Sequence, residues 1–205
     1  MKSLLALLAS AAFALGANPY LHLPDDKPVT REFKGEEWDQ DRLGINDKGD
    51  GAKRGPLAAT VTTVRLETMP WGEIYRITFK VTPAASERSI GPFYLLVTDN
   101  EILLLNSEDM DREIRVIREM KKQPRHEKPD VRGLTSGTLK FKEGMWVTEI
   151  KTKSGACHYD SWHDGSGHFG RWVWRKGAGL VEIAAGHGAD LTGYELKLKS
   201  AGAGK

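Results

Sequence analysis

"WRKGAGLVEIAAGHGADLTGYEL", residues 174–196, is built mostly of apolar and β-branched residues, yet glycine interrupts it at 177, 179, 186, 188 and 193. Either these glycines cradle a phosphate or they turn the corners of a sheet. A dinucleotide site needs G-x-G-x-x-G between a strand and a helix, so that the backbone can approach a pyrophosphate at the helix N-terminus. Gly177-Ala178-Gly179 is followed by Leu180, Val181 and Glu182, and the third glycine is missing. Gly186-His187-Gly188 lacks it too, and no Lys-Ser or Lys-Thr pair follows as in a P-loop. The residues after each pair are strand-like or irregular, not helical. The corner reading is therefore the better one. Gly177 and Gly179 turn the chain into a strand over 180–185. Gly186, Gly188 and Gly193 shape an irregular connection to a last strand over 194–198. Glycine suits such places because it tolerates positive φ and close backbone approach.

Outward from this block, four strands are expected upstream, over 138–142, 145–153, 156–162 and 168–175. Their joints are Glu143-Gly144, Ser154-Gly155 and Asp164-Gly165-Ser166-Gly167. Short joints between alternating strands give an antiparallel meander. Counting by twos puts Cys157 and Tyr159 on one face of their strand, and Trp172 and Trp174 together on one face of the next. Further upstream, "FYLLVTDNEILLLN" is a hairpin turning at Asp99-Asn100. "EIYRITFKV" alternates strictly, with Ile74, Arg76, Thr78 and Lys80 opposite Tyr75, Ile77, Phe79 and Val81. "LAATVTTVRLETM" precedes it as another strand, turning at Pro70-Trp71-Gly72.

One helix is expected, over about 107–122. Ser107 caps it, and Glu108, Asp109 and Asp111 load its first turn with negative charge. Met110, Ile114, Ile117 and Met120 fall at helical spacing. Arg118, Lys121 and Lys122 complement the dipole at the far end, and Pro124 stops it. "QPRHEKPDVRG" follows as a loop. Residues 17–56 read as an irregular N-terminal arm broken by Pro19, Pro24, Pro28 and Pro56, with Phe33 and Trp38 to pin it to the domain. Its segment "INDKGDGAKRGP" lacks the D-x-[DN]-x-[DN]-G pattern of a calcium loop. Residues 200–205 read as a disordered tail. The fold class expected is α+β, mainly β: a curved antiparallel meander sheet with one helix, in a single domain over 57–199.

The 205 residues carry a formal net charge of +2, with 40% hydrophobic and 28% charged residues. That balance gives no electrostatic reason to expect nucleic acid as a partner. The N-terminus carries an address. Lys2 precedes an apolar run over 4–15, too short to span a bilayer comfortably, and small residues follow it. Residues 1–16 are read as a cleaved secretory signal. No cysteine stands at the cleavage site, so a lipoprotein is not expected, and no later stretch is apolar enough to span a membrane. Secreted or periplasmic location follows. The single cysteine, Cys157, allows no internal disulfide and is read as a buried apolar residue.

Two groups of side chains are candidates for function. Aromatic residues crowd the C-terminal sheet. Trp162, Trp172, Trp174 and Tyr159, with His187, are candidates to line a groove for an apolar or carbohydrate ligand. The histidines His158, His163 and His168 lie within one hairpin and are candidate metal ligands, with Asp160 and Asp164 beside them. Opposite parity separates Cys157 from His158, which argues against a nucleophilic pair. No G-x-S-x-G, H-E-x-x-H or paired-carboxylate constellation is present, and no cofactor is expected.

The C-terminal block, with Trp174, Lys176, Gly177, Gly179, Leu180, Val181, Gly186, Gly188, Ala189, Glu195 and Leu196, resembles that of a group of small secreted uncharacterised bacterial β-rich proteins. "FYLLVTDNEILLL" and "GACHYDSW" extend the likeness, and His187 departs from it where an aromatic is expected. The resemblance implies a secreted β-rich fold with no assigned activity. A weaker likeness links the Gly-x-Gly-Leu-Val closure to periplasmic half-barrel lipid carriers. The reading preferred here is a non-catalytic module that binds a ligand or an envelope partner. The rivals are a metal-dependent hydrolase on His158, Asp160, His163 and His168, and a structural envelope module.

Overall fold

Alternation of the kind seen in "EIYRITFKV" recurs along most of the chain, and each alternating stretch pairs with a neighbour. The computed structural model describes residues 18–23, 27–49, 51–82, 88–122, 131–135, 139–188 and 191–199. Its strands are β1 (Val29–Asp39), β2 (Arg54–Met69), β3 (Gly72–Thr82), β4 (Phe93–Val97), β5 (Ile102–Leu105), β6 (Val131–Gly133), β7 (Leu139–Glu143), β8 (Trp146–Lys153), β9 (Ala156–His163), β10 (Phe169–Arg175), β11 (Gly179–His187) and β12 (Thr192–Leu198). Two helices accompany them, α1 (Gln40–Leu43) and α2 (Met110–Glu119). The fold is thus α+β and mainly β, with one curved antiparallel sheet.

The strand order is β6-β5-β4-β3-β2-β1-β12-β11-β10-β9-β8-β7. Two six-strand meanders are joined where β1 pairs with β12, from Phe33↔Leu198 to Asp39↔Thr192. The two edge strands, β6 and β7, are consecutive in sequence and only residues 134–138 separate them. Twelve strands laid flat at about 4.8 Å spacing would put those edges roughly 50 Å apart. Five residues reach only about 20 Å. The sheet therefore rolls up. Side chains from its two halves meet inside: Phe93 on β4 packs edge-on against Trp172 on β10 with ring centroids 4.8 Å apart. Leu134, just past β6, donates its N–H to the Ile102 carbonyl at 2.7 Å. The Cys157 thiol on β9 lies 3.9 Å from the Leu134 carbonyl oxygen.

The inside of the roll is the main core, which includes Phe33, Tyr75, Leu95, Ile102, Tyr159 and Trp174. Parity decides membership, as expected: Cys157 and Tyr159 face Trp174 and Trp172 across the β9–β10 ladder. A second cluster lies on the outer face, where Ile114 and Ile117 of α2 cover Ile74, Leu96 and Leu103.

Several expectations are corrected. The stretch read as an irregular arm contains β1, a central strand of the sheet, paired with both β2 and β12. Its charged residues hid it, because outward positions on a strand carry no apolar signal. Helix α2 starts later than expected. Asp109, not Ser107, caps it, accepting the Arg112 N–H at 2.9 Å, and the helix ends at Glu119. Gly177 and Gly179 do turn the chain, at φ of 70° and 76°. Gly186 and Gly193, by contrast, lie within β11 and β12 and pair with each other. A Cβ on Gly186 would sit 2.4 Å from the Phe169 ring, and one on Gly193 would sit 2.4 Å from the Trp38 ring. Two aromatic rings thus lie over two glycines on the outer face. The expected leader over 1–16, the tail over 200–205 and residues 123–130 of the expected loop lie outside the described residues. Among the described residues no helix is long and apolar enough to cross a membrane.

Candidate functional site

Residues 18–23, "NPYLHL", form a strap across one end of the roll. Asn18 anchors it. The buried side-chain amide donates to the Thr98 carbonyl at 2.6 Å and the Glu101 carbonyl at 3.3 Å, in the β4–β5 turn. Its Oδ1 accepts the N–H groups of Tyr20 at 2.9 Å and Leu21 at 3.2 Å. Further along, the Leu23 N–H donates to the Tyr75 hydroxyl at 3.3 Å, and Arg65 donates to the Leu23 carbonyl at 3.1 Å. On the other side, the Gly177 N–H donates to the Pro19 carbonyl at 2.9 Å. The strap therefore ties three parts of the rim together. Tyr20, Leu21 and Leu23 turn inward and are buried.

Beneath the strap lies a cavity of about 230 Å³, walled by Tyr20, Phe33, Val61, Ile77, Trp174 and Leu180. Among the described residues one charged side chain, that of Arg31, enters this apolar wall. On β1 the inward parity runs Val29, Arg31, Phe33, Gly35, Glu37, so both an arginine and a glutamate face the interior, near opposite ends of the strand. Glu37 is met by Arg42 at 2.6 Å and Arg88 at 3.1 Å. Arg31 is half-buried and meets no carboxylate or carbonyl among the described residues. Burial without a partner pushes its pKa down. Trp174 is fully buried, and its indole N–H finds no acceptor among the described residues.

The phosphate question raised by the glycines has a direct answer here. At the β10–β11 turn the Gly177 N–H is taken by Pro19, and the Ala178 N–H donates to the Arg175 carbonyl at 3.0 Å. These two amides are occupied by the protein itself.

The aromatic candidates divide. Trp174 lines the cavity. Trp172 stacks on it inside the roll at 6.0 Å, and Tyr159 is buried in the same core with its hydroxyl unpartnered among the described residues. Trp162 has outward parity, with the Lys140 ammonium 5.9 Å from its ring centroid. His187 lies at the opposite end of the roll from the strap.

The histidines also divide. His158 pairs with Lys151 and Val173 in the middle of the ladders, at the opposite parity from His163. His163 and His168 do converge. The Ser166 hydroxyl lies 2.7 Å from Nδ1 of each, so it donates to one ring and accepts from the other. His187 joins them, its ring centroid 3.7 Å from that of His168. Desolvation, then the neighbouring His187 and His163, lower the pKa of His168. Among the described residues no group of three His, Cys, Asp or Glu side chains is arranged to hold a metal ion. The carboxylate of Asp164 is bound by Lys142 at 2.7 Å, and the Asp160 carboxylate by Arg171 at 2.7 Å. Cys157 is fully buried, and desolvation raises its pKa. A buried thiol that resists ionisation is a poor nucleophile.

Sequence reasoning missed the strap and Arg31. The signal for Arg31 was present in "VTREF": an arginine flanked at two-residue spacing by valine and phenylalanine lies on the apolar face of a strand. Nothing in "NPYLHL" announces a rim-covering segment, because its anchoring hydrogen bonds reach Arg65, Tyr75, Thr98, Glu101 and Gly177, remote in sequence.

Comparison of the chain with protein-family models and with curated proteins finds no match.

Proposed function

We propose that this chain is an exported, non-catalytic binding protein that holds a small, largely apolar ligand under the strap at one end of the roll. The observation that carries this reading is the cavity of about 230 Å³ with an apolar wall and a hydrogen-bonded cover. Ligand sites are concave, mostly apolar and served by a few placed polar groups. Water takes about 30 Å³ per molecule in the liquid, so the cavity has room for roughly eight groups of that size. Calorimetric titration with 1-octanol tests it. One-to-one binding, abolished when Val61→Trp fills the cavity in a folded variant, is the expected result. Absence of binding in the parent protein removes the reading.

Export rests on Lys2, the apolar run over 4–15 and the small residues after it. On this reading the mature chain begins at Ala17, and the strap is its first segment. Intact mass of protein recovered from the envelope or medium tests it. Loss of the first 16 residues supports export, and retention of Met1 contradicts it.

A further inference from the structure

Arg31 gives the cavity a chemical preference. A charge taken out of water is costly unless it is paired, so buried charges normally have partners. This chain follows the rule at the other end of β1, where Arg42 and Arg88 converge on Glu37. Arg31 is only half-buried, and no such partner meets it among the described residues. Among the described residues the cavity wall holds no acidic side chain, and the other titratable groups on it are His22 and Tyr20. The guanidinium Nη1 also closes on the β10–β11 turn, 2.9 Å from where a Cβ on Gly179 would sit, so the glycine leaves it room. Trp174 adds a second unmatched donor in the same wall.

We propose that the ligand is a monocarboxylate with an apolar chain of about eight carbons, its carboxylate on Arg31 and its chain against Phe33, Val61, Trp174 and Leu180. This rests on the reading of the cavity as a ligand site and names the ligand's class. A guanidinium presents a planar fork of N–H donors that matches a carboxylate in a bidentate pair. One cation matches one negative charge, whereas a phosphate dianion would ask for more donors, and the Gly177 and Ala178 amides are already occupied. A carboxylate also differs from an alcohol of the same length in the one respect that Arg31 can read.

The test compares octanoate, 1-octanol and octyltrimethylammonium on the full chain by calorimetry at pH 7. The expected order is octanoate at least tenfold tighter than octanol, with the cation not bound. Arg31→Met should remove the preference, bringing octanoate affinity down to that of octanol or below, in a variant whose circular dichroism and melting match the parent. The three-ligand comparison on the parent needs no variant, so a misfolded Arg31→Met does not blunt it. Equal affinity for octanoate and octanol overturns the carboxylate assignment while leaving the cavity as a ligand site. Binding of none of the three overturns both.

Discussion

Phe93 on β4 and Trp172 on β10 meet edge to face, with ring centroids 4.8 Å apart and planes at 80°. In the strand order five strands lie between them. The contact is therefore a measure of closure: it exists only if the sheet rolls. Truncating either ring to alanine should cost about 3–5 kcal/mol in chemical denaturation. The double variant should be less destabilised than the sum by roughly 0.5–1.5 kcal/mol, the coupling of an aromatic pair. Strict additivity would mean that the halves do not touch in solution.

The glycines of the opening stretch separate by mechanism. Gly177 needs its φ of 70° but has open space where a Cβ would go, whereas Gly186 has the Phe169 ring there. Asparagine tolerates the left-handed region better than alanine does. Gly177→Asn should therefore be milder than Gly177→Ala, which should cost roughly 1–2 kcal/mol. At Gly186 the order should reverse, because the larger side chain overpacks more, by about 1–3 kcal/mol or above. Equal ranking at both sites in urea melts would show that one mechanism governs both.

The legible part of the fold was the part written in alternation. The strands from β2 to β5 and from β7 to β12 followed from alternation, from apolar and β-branched runs and from turn residues such as Asp99-Asn100, and the inward set of Cys157, Tyr159, Trp172 and Trp174 followed from parity. β1 did not, because Glu32, Lys34 and Glu36 face outward and Arg31 and Glu37 face inward, so apolar residues are sparse on both faces. The Arg88 partner of Glu37 comes from the tertiary fold. The site was only partly legible for the same reason. Trp174 was identified by its face. Its meeting with Tyr20 and Arg31 depends on the roll's closure and on a strap held by Asn18 some 80 residues from Thr98.

The His163–Ser166–His168 cluster makes stability depend on pH. Folding lowers the pKa of His168 below its ordinary 6.5. The unfolded chain then binds the proton more readily, so stability is fully present above pH 6.5 and declines as pH falls below it. His168→Gln should flatten that part of the stability–pH curve while leaving the urea midpoint at pH 8 close to that of the parent. A curve of unchanged slope would assign the pH dependence elsewhere.

Cys157 is fully exposed to reagent only in the unfolded chain, since its thiol is buried and its pKa is raised by desolvation. A maleimide or disulfide reagent should label native protein slowly, at a rate that rises with denaturant as the roll opens. Fast stoichiometric labelling of native protein at pH 7 would contradict a closed roll at β9.

The central claim is that ligand binds beneath the strap, and amide hydrogen exchange tests it most directly. The N–H groups of Tyr20, Leu21 and Leu23 are held by Asn18 and Tyr75, and that of Gly177 by Pro19. Saturation with octanoate should slow exchange at these four amides by tenfold or more, because opening the strap then also costs the bound ligand. The amides of His163 and Gly167, at the other end of the roll, should exchange as before. Protection confined to the histidine end, or bound octanoate with no change at the strap, would contradict the account.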